Sequence, residues 1–123
     1  MAKHILLIDD TKDILRLMTM MLEEDNHTVT VMDNGHGVIE NARDISPDII
    51  ILDLRLGDIS GINVLKDLKA TTAVANIPVV VYTASILDAE KVQEMIKQEP
   101  TVYDGTRVLQ KPFALDQLLD MLK

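Results

Sequence analysis

Three short, unbroken apolar runs constrain the fold of this chain more than anything else in it. They are Ile5-Leu6-Leu7-Ile8, Ile49-Ile50-Ile51-Leu52 and Val79-Val80-Val81-Tyr82. Most of their residues are aliphatic, with β-branching frequent, and each run is too short for a stable helix. A strand with one face in water alternates apolar and polar residues. An unbroken run instead predicts a strand covered on both faces, as in a parallel sheet between two layers of helices. Thr28 to Met32 and Thr106 to Gln110 give weaker strand signals.

Between the runs the period changes to that of a helix with one buried side. The stripes are Leu15, Met18 and Leu22; Val38, Ala42 and Ile45; Val64, Leu65 and Leu68; Ala89, Val92 and Ile96; and Leu115, Leu118, Leu119 and Leu122. Turn residues separate them: Asn26-His27, Asp33-Asn34-Gly35, Ser46-Pro47, Asn76 with Pro78, Glu99-Pro100 and Asp104-Gly105. The pattern is five β–α units in a row, an α/β chain. Right-handed crossovers place helices on both faces of a five-stranded parallel sheet. The expected fold is a doubly wound, flavodoxin-like (βα)5 unit in three layers, α/β/α, with strand order 2-1-3-4-5. The 123 residues suffice for one such domain, residues 1–123, with a core that needs no disulfide or structural metal.

Composition narrows the chemistry. Aromatics are 2% of the chain, so the core has to be built from Ile, Leu, Val and Met. A net charge of −8 argues against direct binding of nucleic acid, which calls for a basic face. The absence of cysteine removes thiolate catalysis and Cys-ligated zinc, and it fits a cytoplasmic setting. No segment approaches the ~20 apolar residues of a membrane span, and the apolar run after His4 is too short for a signal peptide.

In a doubly wound sheet, ligands bind beyond the carboxyl ends of the strands, near the switch point between the first and third. The first strand ends in Asp9-Asp10, the third in Asp53, the fourth in Thr83 and the fifth near Lys111-Pro112. Taken singly, each has an ordinary explanation. Asp10 or Thr83 would serve as a helix cap, Asp53 as a turn residue and Lys111 as a solvated lysine. All of these explanations would have to hold together at one edge of one sheet. A common function accounts for the set more simply. Three close carboxylates repel unless a cation sits between them, and hard oxygen ligands suit Mg²⁺. A carboxylate is a competent nucleophile towards phosphorus, giving an acyl phosphate. Lys111 would pair with a phosphoryl oxygen, and the Thr83 hydroxyl would donate to another.

These segments resemble the response-regulator receiver family along the whole chain. The carrying residues are Ile5 to Asp10, Pro47 to Leu54 with Gly61 eight residues past Asp53, Ile77 to Ala84, and Lys111-Pro112-Phe113. The resemblance implies that Asp53 is the phosphoacceptor. It implies that Asp10 and Asp53 bind Mg²⁺ directly with the main-chain carbonyl of Arg55, and that Asp9 acts mainly through a metal-bound water. Thr83 becomes the switch hydroxyl, Lys111 the phosphoryl partner, and Lys111-Pro112 a cis peptide. Arg55 and Ser85, each two residues beyond a key position, are implied to influence the lifetime of the phosphoryl group. The implied partners are a sensor histidine kinase or phosphotransfer domain and a downstream effector, with homodimer formation left open. The switching surface is implied to lie on the fourth helix, fifth strand and fifth helix.

The chain departs from the family pattern in three places. Gly57 stands where proline is usual, predicting a more mobile loop from Arg55 to Ser60. Val108 stands where an aromatic switch residue is common, and Tyr103 lies five residues earlier. The segment from Gln98 to Asp104 looks like an insertion beside the signalling surface.

Other readings fit less well. An aspartyl-nucleophile phosphatase places Asp-x-Asp on one strand end, whereas Asp9 and Asp10 are adjacent and Asp53 is on another strand. A flavodoxin-like cofactor binder needs a phosphate loop, and Asp9-Asp10-Thr11-Lys12-Asp13 would repel phosphate. A receiver that only docks would not be expected to keep all five site positions. His4, His27 and His36 are expected in solvated or turn roles rather than as metal ligands. Met18, Met20 and Met21 are expected to fill core and docking surface, and Glu23-Glu24-Asp25 to form a solvated helix end. No effector segment follows Lys123, so the sequence fits either a single-domain regulator or the receiver unit of a larger protein.

Overall fold

The computed structural model describes residues 2–122; residues 1 and 123, the ends of the expected domain, lie outside them. The five expected strands are β1 (His4–Ile8), β2 (Thr28–Met32), β3 (Ile49–Asp53), β6 (Val79–Thr83) and β7 (Thr106–Gln110). They form one parallel sheet in the order β2-β1-β3-β6-β7. This is the expected 2-1-3-4-5 order, renumbered because a small hairpin intervenes. The hairpin consists of β4 (Arg55–Leu56) and β5 (Ile59–Ser60), paired antiparallel. An open loop was expected there. Gly57 has a φ of 73° at the first central position of the two-residue turn, which a glycine adopts without strain.

The helices are α1 (Lys12–Glu24), α2 (Val38–Ile45), α3 (Gly61–Ala70), α4 (Ile86–Gln98) and α5 (Leu115–Met121). Alternation along the strands divides the interior in two. Ile5, Leu7, Ile49, Ile51, Val80 and Tyr82 pack with Leu15, Met18 and Leu22 of α1 and with Leu118 of α5. Leu6, Ile8, Ile50, Leu52, Val79 and Val81 pack with residues of α2, α3 and α4. The sheet therefore carries two helices on one face and three on the other. β3 and β6 are buried at every residue, while the outer strands β2 and β7 are partly open. Each outer strand has a neighbour on one side only, which is why its sequence is more polar.

The segment beyond α4 folds as turns at the amino edge of the sheet, opposite the carboxyl edge. Tyr103 is buried in the core there, its N–H donating to Glu99 O (3.1 Å). Lys69, itself buried, donates from Nζ to the carbonyls of Ala75, Ile77 and Asp104, each at 3.1 Å. One ammonium thereby joins α3, the connection into β6 and the turn before β7.

Candidate functional site

Asp53 ends β3 and pairs in register with Tyr82 of β6, while Ile8 of β1 pairs with Leu52. Asp9 follows Ile8, so Asp9, Asp53 and Tyr82 fall in one row across three strands. By parity they continue the face of Ile5, Ile51 and Val80. Ligand atoms of Asp9, Asp10 and Asp53 lie within 4.8 Å of one another; among the described residues this is the one place where three such side chains gather. Asp9 and Asp53 are buried and Asp10 is exposed. The donor set consists of hard carboxylate oxygens and fits a small divalent cation such as Mg²⁺.

Local hydrogen bonds fix these groups. Thr11 N–H donates to Asp9 Oδ1 (2.8 Å) and Arg55 N–H donates to Asp53 Oδ1 (3.2 Å). It is thus the Arg55 N–H that touches Asp53. The Thr11 hydroxyl donates to Asp10 Oδ1 at 3.4 Å. Neither Asp10 nor Thr83 caps a helix. Thr11 occupies the N-cap position of α1 without a side-chain bond, and Ser85 caps α4 by accepting from Asp88 N–H (3.1 Å). Thr83 is buried; its Oγ1 accepts from Ser85 N–H (3.0 Å), which leaves its own hydroxyl proton free to be donated elsewhere.

Gly61 is required by close approach. A Cβ at this position would lie 2.5 Å from Asp53 O and from Leu54 Cα. The bare backbone lets α3 begin against the end of β3, where Gly61 N–H donates to Leu54 O (3.0 Å).

Asp53 ionises with difficulty, its pKa pushed up to about 6. Burial is the main cause, and the charges of Asp9 and Asp10 add to it, while the Arg55 N–H and the Lys111 charge pull the other way. A carboxylate in this position gains from any cation that arrives beside it.

Lys111 follows β7, its N–H donating to Thr83 O (2.8 Å), and the Lys111-Pro112 peptide is cis, as expected. Its Nζ lies 4.5 Å from the centroid of the Tyr82 ring, within cation–π range. Phe113 meets the same ring edge-on, with centroids 6.3 Å apart.

Tyr82 is the site residue that the strand reading missed. It is buried, and its hydroxyl donates to Asp9 Oδ2. Burial first, and then the bond to Asp9, push the phenol pKa far above its usual value, so the group stays a donor. A signal was present in the sequence. A phenol ending an otherwise aliphatic buried strand has to find a polar partner.

The remaining expectations resolve as follows. The Arg55 side chain extends to Asp88 at the start of α4 (Nε–Oδ2 3.5 Å). Val108 is half-buried and lines, with Gln110 and the α4 residues Ala89, Glu90, Gln93, Glu94 and Lys97, an open hollow of about 500 Å³. None of the histidines belongs to the acidic cluster. His4 shares a hydrogen bond with Thr30 (2.8 Å) and the exposed His36 one with Asp58 (3.2 Å). His27 is buried rather than solvated. Its Nδ1 accepts from Lys3 N–H (3.1 Å) and its Nε2 meets Asp25 (3.2 Å), so it locks the turn after α1.

Known proteins resemble this chain in sequence and in fold. A family profile described as the response regulator receiver domain matches residues 5–123. The chemotaxis protein CheY of Halobacterium salinarum is 30% identical over 99% of this chain and 98% of its own length. The transcriptional regulatory protein KdpE of Mycobacterium tuberculosis is 33% identical over 97% of this chain, which spans only 49% of that relative. The crystal structure of CheY4 from Vibrio cholerae superposes with a TM-score of 0.80 at 24% identity, covering 99% of this chain and 97% of that one, a likeness of fold. Since the profile runs through both ends of the sheet and takes in every strand that supplies the acidic edge, the chain belongs to the response regulator receiver domain family.

Proposed function

We propose that this receiver is a phosphorylation switch in which Asp53 accepts a phosphoryl group from a phosphohistidine of a sensor kinase or phosphotransfer domain. The observation that carries the proposal is the gathering of Asp9, Asp10 and Asp53 within 4.8 Å at the carboxyl edge. The charge of Lys111, close enough to act on Asp53, supports it.

An Asp53 carboxylate oxygen attacks phosphorus in line. A P–O bond forms as the P–N bond to the donor imidazole breaks, and the electron pair leaves with the imidazole nitrogen. Mg²⁺, when bound, would supply positive charge that offsets the negative charge gathered on the carboxylates and the phosphoryl group. Asp10 and Asp53 would hold it, with the Arg55 carbonyl, and Asp9 would act on it through water. Lys111 pairs with a phosphoryl oxygen, and Thr83 donates its hydroxyl to another. Moving Thr83 disturbs its bond to Ser85, and Ser85 caps α4. Repacking of α4, β7 and α5 then changes affinity for a downstream effector, biasing a two-state equilibrium. Residues 1–123 act as one unit whose only chemistry is to take up and lose its own phosphoryl group, in the cytoplasm. Arg55, whose side chain reaches towards Asp88 in α4, would tune how long that group survives.

The test is intact mass after incubation with acetyl phosphate and Mg²⁺. Wild type is expected to gain the mass of one HPO₃ and Asp53→Asn to gain none. Equal gain by both proteins would move the acceptor elsewhere.

A further inference from the structure

The Tyr82 hydroxyl occupies an unusual place for a residue outside the acidic cluster. Its strand, β6, is separated from β1 by β3, and adjacent strands lie about 4.8 Å apart. The phenol therefore reaches across the row occupied by Asp53 to bond Asp9 Oδ2. Asp9 Oδ1 is already taken by Thr11 N–H. Both oxygens of this buried carboxylate are thus held by protein donors, whereas Asp10 is exposed, with Oδ1 held only at 3.4 Å by the Thr11 hydroxyl.

The ring is held from two further sides, by Phe113 edge-on and by Lys111 over its face. It cannot swing away from Asp9 without disturbing both. A hydrogen bond to a carboxylate supplies part of the positive charge that a cation would supply. The phenol and a divalent cation therefore draw on the same carboxylate.

We infer that Tyr82 is a positioning residue of the metal site, whose hydroxyl competes with the cation for Asp9 and keeps Asp9 from becoming a direct ligand. The division of labour among the three acids, with two in contact and one acting through water, then has a cause in this chain's own residues. The inference rests on the proposed Mg²⁺ site.

The experiment is a calorimetric Mg²⁺ titration of four proteins without phosphodonor: wild type, Tyr82→Phe, Asp9→Ala and the double variant. Tyr82→Phe keeps the ring and strips a donor from a buried carboxylate, a loss that cation binding would relieve. It is expected to bind Mg²⁺ about tenfold more tightly than wild type. In the Asp9→Ala background the same change is expected to leave the Kd unaltered, because the coupling is gone. Equal or weaker binding by Tyr82→Phe overturns the inference, and so does the same gain without Asp9.

A second readout needs no substitution. The chain has no tryptophan and two tyrosines, and Tyr103 lies at the opposite edge of the sheet. Because Tyr82 keeps hold of Asp9, saturating Mg²⁺ should leave the Tyr82 absorption at its hydrogen-bonded position; a blue shift, meaning that the cation has taken Asp9 from the phenol, overturns the inference. If wild type binds Mg²⁺ and is phosphorylated at Asp53 while these readouts go the other way, only the assignment of Tyr82 falls. If wild type binds no Mg²⁺, the metal-site reading falls with it.

Discussion

Asp53 is poised by an environment that opposes its own charge. Its folded pKa of about 6 lies above the ordinary carboxylate value of 3.8. Between these values the folded protein holds more protons than the unfolded chain, so stability falls as pH rises through the window. The penalty is complete above about pH 6 and relieved on acidification. In metal-free buffer, urea unfolding should show wild type losing roughly 2 to 3 kcal/mol from this group between pH 4 and pH 7. Asp53→Asn should lack that component and be more stable than wild type at pH 7. Saturating Mg²⁺ should offset the penalty in wild type and leave the variant nearly unaffected. A variant no more stable than wild type at pH 7 would mean that burial and the neighbouring acids do not oppose the Asp53 charge. At this scale the sequence identified the groups, because strand ends and residue types are local. Tyr82 escaped because its role depends on a partner two strands away in space and 73 residues away in sequence.

At the scale of elements, the hairpin after β3 shows how one residue changes a segment's rules. Proline is usual in the family where this chain has Gly57, yet that exchange is not expected to be benign here. Proline is confined to φ near −65°, whereas Gly57 sits at +73° between the paired Leu56 and Ile59. Gly57→Pro should lower stability by roughly 1 to 3 kcal/mol, read by denaturant unfolding, unless the hairpin dissolves into another path. Unchanged stability would show that β4 and β5 are dispensable. The three buried strands and five helical stripes were legible, since period and burial are written along the chain. Two-residue strands carry too little periodicity to be seen, and Gly57 by itself suggested mobility rather than a tight turn.

Across the whole molecule, the two edges of the sheet have separate tasks. The carboxyl edge holds the acids, Thr83 and Lys111, while the amino edge is tied by Lys69 and Tyr103. Burial holds the Lys69 pKa below its ordinary value, although the Asp104 charge opposes this. Lys69→Met would keep the aliphatic stem and leave three carbonyls without their shared donor. A loss of roughly 2 to 4 kcal/mol is expected in thermal or urea unfolding, with phosphorylation of Asp53 retained in the folded fraction. A neutral effect would show that water replaces the ammonium. By itself the sequence determined the fold class, the strand order and the edge at which the three acids gather, because apolar runs, helical stripes and right-handed crossovers leave few alternatives. Only the tertiary structure decided that Tyr82 bonds Asp9, that Lys111 lies over its ring, that His27 and Lys69 are buried, and that the segment after α4 packs at the far edge. These depend on which side chains meet across strands and helices distant in sequence, and such meetings follow from register and packing rather than from any local pattern.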